Sequence, residues 1–270
     1  MQVIAITGGK GGVGKTNIAV NLSVALARSN LDVVLLDADL GLANVDVLMG
    51  LKLERTLADF ISGDTALEAV VVRSDDGVRL IPASSGIPSM ASLSSEARGR
   101  LIQEISNQIS APDVLIVDTG AGIDETVQTF VSACEKVIVV VCDEPASLTD
   151  AYALIKVLSI TRGLKNFQIL VNQSDSDFKS RQVFERLMLV TNKYLEVNLG
   201  YLGSIPTDTY LRQAVRERKP LVTAYPRSPA AQAIGRVAKK ILETGDKRSN
   251  VTNGLAFFFQ KMLDRKSDEI

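Results

Sequence analysis

The chain has 270 residues, 46% hydrophobic and 23% charged, enough apolar material to bury the core of one large α/β domain or two small ones. Its net charge of −1 carries no global signature of nucleic-acid binding, and no direct contact with nucleic acid is expected. The absence of histidine removes histidine-based catalysis and the commonest transition-metal ligand.

Apolar runs alternate with helical patterns along most of the chain. Val3 to Ile6 predicts a first strand, and the spacing from Ile18 to Leu26 predicts a helix after it. Val33 to Leu36 reads as a buried strand ending at Asp37, and Arg79 to Pro82 as a shorter one. Val114 to Val117 ends at Asp118, Val137 to Cys142 ends before Asp143, and Phe167 to Val171 ends at Asn172. Leu199 to Ile205 completes the set. Helical patterns lie around 94–109, 147–162, 178–194 and 228–243, with a serine-rich loop from Ser84 to Ser95. Continuous Val/Ile/Leu runs are what a parallel sheet covered on both faces produces. The expected fold is therefore α/β: a single doubly wound, mostly parallel sheet over 1–245, then a tail over 246–270 with an amphipathic helix. Cys134 and Cys142 flank the fourth long run and read as buried thiols of a reducing cytosol. Residues 1–7 enter the first strand with no signal-peptide pattern, and no stretch reaches membrane-spanning length, so a cytoplasmic location is expected.

Between the first strand and its helix lies Gly8-Gly9-Lys10-Gly11-Gly12-Val13-Gly14-Lys15-Thr16-Asn17. Gly9, Gly14, Lys15 and Thr16 satisfy G-x-x-x-x-G-K-[ST], and strand, glycine loop, helix is the context in which that pattern means a P-loop. Glycines at this position let backbone N–H groups turn inward around phosphate oxygens. The helix N-terminus adds its dipole, Lys15 a point charge for the outer phosphates, and Thr16 a hydroxyl for Mg²⁺. The expected ligands are ATP or ADP with Mg²⁺. Asp37 and Asp39 at the end of the second strand, spaced i, i+2, suit holding a metal-bound water and orienting the water that attacks the γ-phosphate. Taken alone, such a pair is more often a turn or helix cap. Asp118, before Thr119-Gly120-Ala121-Gly122, can accept from a Mg²⁺-bound water, so Thr16, Asp37 and Asp118 form the candidate metal set.

Lys10 is one lysine more than a P-loop needs, and K-G-G-V-G-K-T resembles the deviant Walker A motif of the MinD/ParA ATPases. That resemblance implies an ATP-dependent homodimer in which Lys10 crosses the interface to the other subunit's nucleotide, alongside Lys15 in catalysis. It also implies that Asp39 lies in switch I and positions the water, that Asp37 sits nearer the metal, and that Asp118 opens switch II. Here the sequence departs from the family's D-x-P-A-G, because Gly120 replaces the proline. Cys142 to Asp150 aligns with the family's N-P-E-x-x-S-x-x-D segment, making Glu144, grouped with the nucleotide site, and Asp150 candidates for dimer-face contacts. Asn172, Pro206 and Asp208 occupy positions where relatives contact adenine; an Asn there is equally a turn residue.

Gly14-Lys15-Thr16-Asn17, Leu36 to Leu48 and Cys142 to Lys156 resemble the FlhG/FleN group within that family, over about 1–265. The group controls flagellar number and placement. The resemblance implies restraint of an NtrC-type flagellar transcription regulator and work with an SRP-type GTPase. The D-Q-A-x-x-L-R motif that stimulates that GTPase is not in this sequence, so stimulation is not expected of this form.

In the tail, Leu255, Phe258, Phe259, Met262 and Leu263 share one helical face, with Lys261, Asp264 and Arg265 opposite. Residues 254–266 can lie on a membrane surface, reversibly and at a cell pole as in relatives, or dock on the domain. Two other readings compete with the flagellar switch: a MinD-like or ParA-like positioning ATPase, and a scaffold that senses ATP without hydrolysing it.

Overall fold

The computed structural model describes residues 1–39, 44–56, 59–60, 64–82, 112–243 and 255–264. The helix expected around 94–109, the serine-rich loop before it and residues 40–43 lie outside the described residues.

The apolar runs become strands because all but the last, which stands at the sheet edge, are buried on both faces. In chain order the strands are β1 (Gln2–Gly8), β2 (Val33–Ala38), β3 (Val72–Arg73), β4 (Arg79–Ile81), β5 (Val114–Ala121), β6 (Lys136–Val141), β7 (Asn166–Ser174) and β8 (Asn198–Pro206). Among the described residues they form one sheet in the order β3-β4-β2-β5-β1-β6-β7-β8. Every pairing is parallel except β3 with β4. β1 lies between β5 and β6, so the chain leaves β1 where strand order reverses, and there an open α/β sheet leaves a crevice for a ligand. The hairpin partner β3 escapes the sequence pattern because two residues carry no periodicity.

Helices cover both faces. α1 (Lys15–Ala27), α2 (Val45–Met49), α6 (Thr209–Arg216), α7 (Leu221–Ala224) and α8 (Pro229–Glu243) pack on one core, with Ile4, Leu22, Leu35 and Ile116 at its centre. α3 (Glu125–Ala133), α4 (Pro145–Arg162) and α5 (Asp177–Tyr194) pack on the other, around Val117, Val139, Leu154 and Phe167. α3 starts where Asp124 accepts from the Val127 N–H at 2.9 Å, a side-chain N-cap.

The tail helix α9 (Leu255–Asp264) belongs to this second core. Phe258, Phe259 and Met262 are buried, the two rings meeting edge to face with centroids 5.3 Å apart. Lys261 Nζ donates to the Ala133 carbonyl oxygen at 3.2 Å, at the C-terminal end of α3. Of the two placements the sequence leaves open, this structure has the docked one; each buried ring contributes about 1.5–3 kcal/mol. Among the described residues no helix is long and apolar enough to cross a membrane. Cys134 and Cys142 are both buried free thiols, as expected.

Candidate active site

The register of the sheet assembles the site. Asp37 of β2 pairs with Asp118 of β5, and Asp118 pairs with Ile6 of β1, two residues before the glycine loop. Parallel pairing thus sets two carboxylates side by side at the root of the P-loop. The loop itself needs glycine at two places for different reasons. Gly14 has φ 91°, a left-handed backbone, and a Cβ there would run into the Asn172 amide. Gly9 lies so close to the Asp150 backbone of α4 that a Cβ would not fit.

Lys15 is buried, and burial lowers its pKa against the opposing pull of Asp118 and Asp39. Asp37 accepts from the Asp39 N–H at 3.1 Å, yet burial pushes its pKa up to about 7. Asp118 is 0% exposed. Burial pushes its pKa up to about 8, opposed by the Thr16 hydroxyl and Lys15 and reinforced by Asp37. Neither carboxylate oxygen of Asp118 has a partner at good hydrogen-bond geometry among the described residues. Two adjacent buried carboxylates beside a single buried lysine fit a divalent cation, which would supply the missing positive charge. Among the described residues no three acidic, Cys or His side chains could hold a metal by themselves. The ion would instead be carried by the Thr16 hydroxyl and the phosphates, with Asp37 and Asp118 holding its waters, the way Mg²⁺ is usually bound.

A cleft of about 630 Å³ opens over the loop. Gly11, Gly12, Gly14, Lys15, Thr16 and Asn17 form its floor, with Asp39 and Ala121 at one side. Gly120, which stands where the family has proline, lies against the Asp39 carboxylate, and the Gly122 N–H donates to the Gly8 carbonyl at 3.3 Å. The ends of β2 and β5 therefore meet beside the glycine loop. Asn44, Val47, Leu48 and Val215 complete the wall. Sequence reasoning missed these four, because α2 and α6 are too short, at five and eight residues, for spacing to show which face turns to the cleft.

Val13 is buried, while Lys10 stands at the rim with its Nζ 2.5 Å from Glu144 Oε2 of the same chain. The Glu144 hydrogen bond and charge raise the Lys10 pKa. In the single chain the extra lysine is thus turned toward its own α4. Asn172 is also brought to the loop. It is buried, and its Nδ2 donates to the Val13 carbonyl oxygen at 2.8 Å. The neighbouring Gln173 Nε2 reaches the Gly12 carbonyl at 3.4 Å. The end of β7 thereby grips the back of the P-loop. Asp208 accepts from the Tyr210 N–H and from the Ala230 N–H, both at 2.9 Å, capping α6 and tying it to the start of α8. Pro206 ends β8, and none of Asn172, Pro206 and Asp208 lines the cleft.

A family model for ParA proteins, described as "NUBPL iron-transfer P-loop NTPase", matches residues 1–242. The chain is similar to the antiactivator FleN of Pseudomonas aeruginosa, at 48% identity over 97% of this chain and 94% of that protein. It is similar to the flagellum site-determining protein YlxH of Helicobacter pylori, at 36% identity over 97% of this chain and 90% of that one. Among solved structures it resembles the MinC:MinD cell division protein complex of Aquifex aeolicus, with a TM-score of 0.73 and 30% identity over 91% of this chain and 97% of that chain.

Proposed function

The chain belongs to the ParA family of P-loop NTPases and is an ATP hydrolase of the MinD/ParA type, and from this we propose that it is a dimerising ATP switch that sets flagellar number as an antiactivator. The observation that carries the switch is the pairing of a preformed phosphate cradle with a second lysine, Lys10, held at its rim by one exposed ion pair. ATP occupies the cleft, with Gly9 to Asn17 enclosing its phosphates and Lys15 on the outer ones. Thr16, Asp37 and Asp118 would hold a magnesium ion, which would supply charge neutralisation at the phosphates. Lys10 leaves Glu144 and reaches the nucleotide of a second copy, stabilising the charge that develops on the γ-phosphate. Asp39 orients the attacking water, and loss of the γ-phosphate releases the switches that Gly120 and Gly122 make mobile. Adenine lies toward Asn172 and Pro206 to Asp208, with Asn172 and Asp208 acting through the loops they brace.

The partner of the ATP state is an NtrC-type flagellar transcription regulator, with contact to an SRP-type GTPase implied by the same resemblance. The proposed location is cytoplasmic, with reversible attachment to a membrane surface through 254–266. A bilayer-bound form requires α9 to leave its dock, since its aromatic face is buried in the single chain. The likeness to the MinD complex favours, as a second reading, a division-site positioner; deletion of the gene distinguishes the two by altered flagellar number or by misplaced septa.

The test of the switch is light scattering on the Asp39→Ala protein, which is expected to bind ATP, lose turnover and run as a dimer. Adding Lys10→Ala is expected to return a monomer. A monomer in both proteins would remove the dimer, and normal hydrolysis in Asp39→Ala would remove that residue from the chemistry.

A further inference from the structure

β8 is the last strand of the sheet, so one side of its nine-residue backbone has no strand partner among the described residues. The edge is not bare. A cleft of about 190 Å³ lies astride its middle, between α5 on one face of the sheet and α8 on the other. Arg181 enters from α5, with its guanidinium 5.3 Å from the Tyr201 ring centroid. Arg236 and Lys240 enter from α8, one turn apart. Both arginines are exposed, and neither has a carboxylate partner among the described residues. The one acid lining the cleft, Asp177, accepts from the Ser204 hydroxyl at 2.7 Å. Lys240 Nζ lies across the strand, donating to the Tyr201 and Leu202 carbonyl oxygens at 2.6 and 3.1 Å.

An edge lysine of this kind shields a sheet from indiscriminate pairing. It also makes the edge selective. An incoming strand must displace the ammonium from two carbonyls, and a strand bearing carboxylates offers it a replacement partner. Successive side chains of a strand point to opposite faces. Two neighbouring acids in an added strand would therefore meet Arg181 on the α5 face and Arg236 on the α8 face. We propose that the open edge of β8 is a docking strip for an extended acidic segment of a partner protein, which adds as a ninth strand and sets adjacent carboxylates against Arg181 and Arg236. Main-chain bonds along β8 supply affinity, and the paired guanidiniums supply register and sign. This inference is independent of the nucleotide switch, because none of these residues lines the phosphate cleft.

The test uses the full chain and a fluorescein-labelled decapeptide, Thr-Val-Thr-Val-Glu-Glu-Val-Thr-Val-Thr, read by fluorescence anisotropy at low salt. Binding is expected, with roughly tenfold or greater weakening on Arg181→Glu combined with Arg236→Glu. ATP turnover of that variant is expected to match the parent, showing an intact fold. Hydrogen exchange is expected to slow at the amides of residues 199–204 when peptide is bound. A version with Lys-Lys in place of Glu-Glu is expected not to bind, and one with the acids two residues apart to bind more weakly. Equal binding of acidic and basic peptides, or indifference to the double charge reversal, would overturn the proposal. So would binding without slowed exchange, matched by a polyphosphate chain, which would mark a diffuse anion patch. Arg181-dependent self-association without peptide would instead make the edge an interface between copies of this chain.

Discussion

Both oxygens of Asp118 are buried without a good hydrogen-bond partner among the described residues, and its neighbour across the sheet is another acid, Asp37. The electrostatic consequence has a definite sign. An acid whose folded pKa exceeds its unfolded value, about 4, holds its proton longer when folded. Stability from the pair is therefore full below about pH 4 and declines as pH rises through about 7 for Asp37 and about 8 for Asp118. Scanning fluorimetry in chelator is expected to show the melting temperature falling between pH 5 and pH 8. Asp118→Asn is expected to flatten most of that fall and to raise the melting temperature at pH 8, by about 2–4 °C for each kcal/mol regained. Magnesium with nucleotide should stabilise the parent more at pH 8 than at pH 5, and the Asn variant about equally at both. An unchanged slope in Asp118→Asn would place the titration elsewhere. Asp118 itself was readable in the sequence as an acid ending an apolar run. Its burial was not, since that follows from the β2–β5 register and not from its neighbours in the chain.

Among the elements, the tail helix and the short helices teach opposite lessons. The five apolar residues of α9 share a face in the sequence, but helical spacing cannot say whether that face meets a lipid or a protein. The deciding contact is with α3, whose own apolar spacing of Val127, Phe130 and Val131 is brief and lies between two glycine- and cysteine-bearing segments. Phe259→Ala, read by urea unfolding, is expected to cost about 3–5 kcal/mol, the range for a large aromatic lost from a core. A cost under about 1 kcal/mol would mean that α9 spends its time off the domain. The short helices α2 and α6 show the reverse failure. Each has one exposed valine, Val47 and Val215, that reads as surface in the sequence but walls the nucleotide cleft in space. Asp208, a candidate for adenine contact, also caps α6, and an Asp directly before a helix is a capping signal in the sequence itself.

At the scale of the whole molecule, the sheet was the legible part, because five long runs rich in Val, Ile and Leu admit little else. Strand order was not in the runs themselves, and with it went the identity of the free edges and the meeting of Asp37 with Asp118. The Lys10–Glu144 pair also belongs here, since Lys10 would have to leave it in the proposed dimer. An exposed ion pair is a weak restraint, so Glu144→Ala is expected to ease ATP-driven association only about two- to fivefold. Loss of association in sedimentation would instead give Glu144 a contact of its own in the dimer. Gly9 seats tightly on the backbone of Asp150. With no space for even a methyl group between them, the phosphate cradle and the first turns of α4 cannot slide past each other and must travel as one piece. α4 runs 18 residues, about 27 Å. On the proposed switch, a tilt begun at the γ-phosphate end of α4 is expected to be carried, like the swing of a lever, to Arg162 at the far end of the helix.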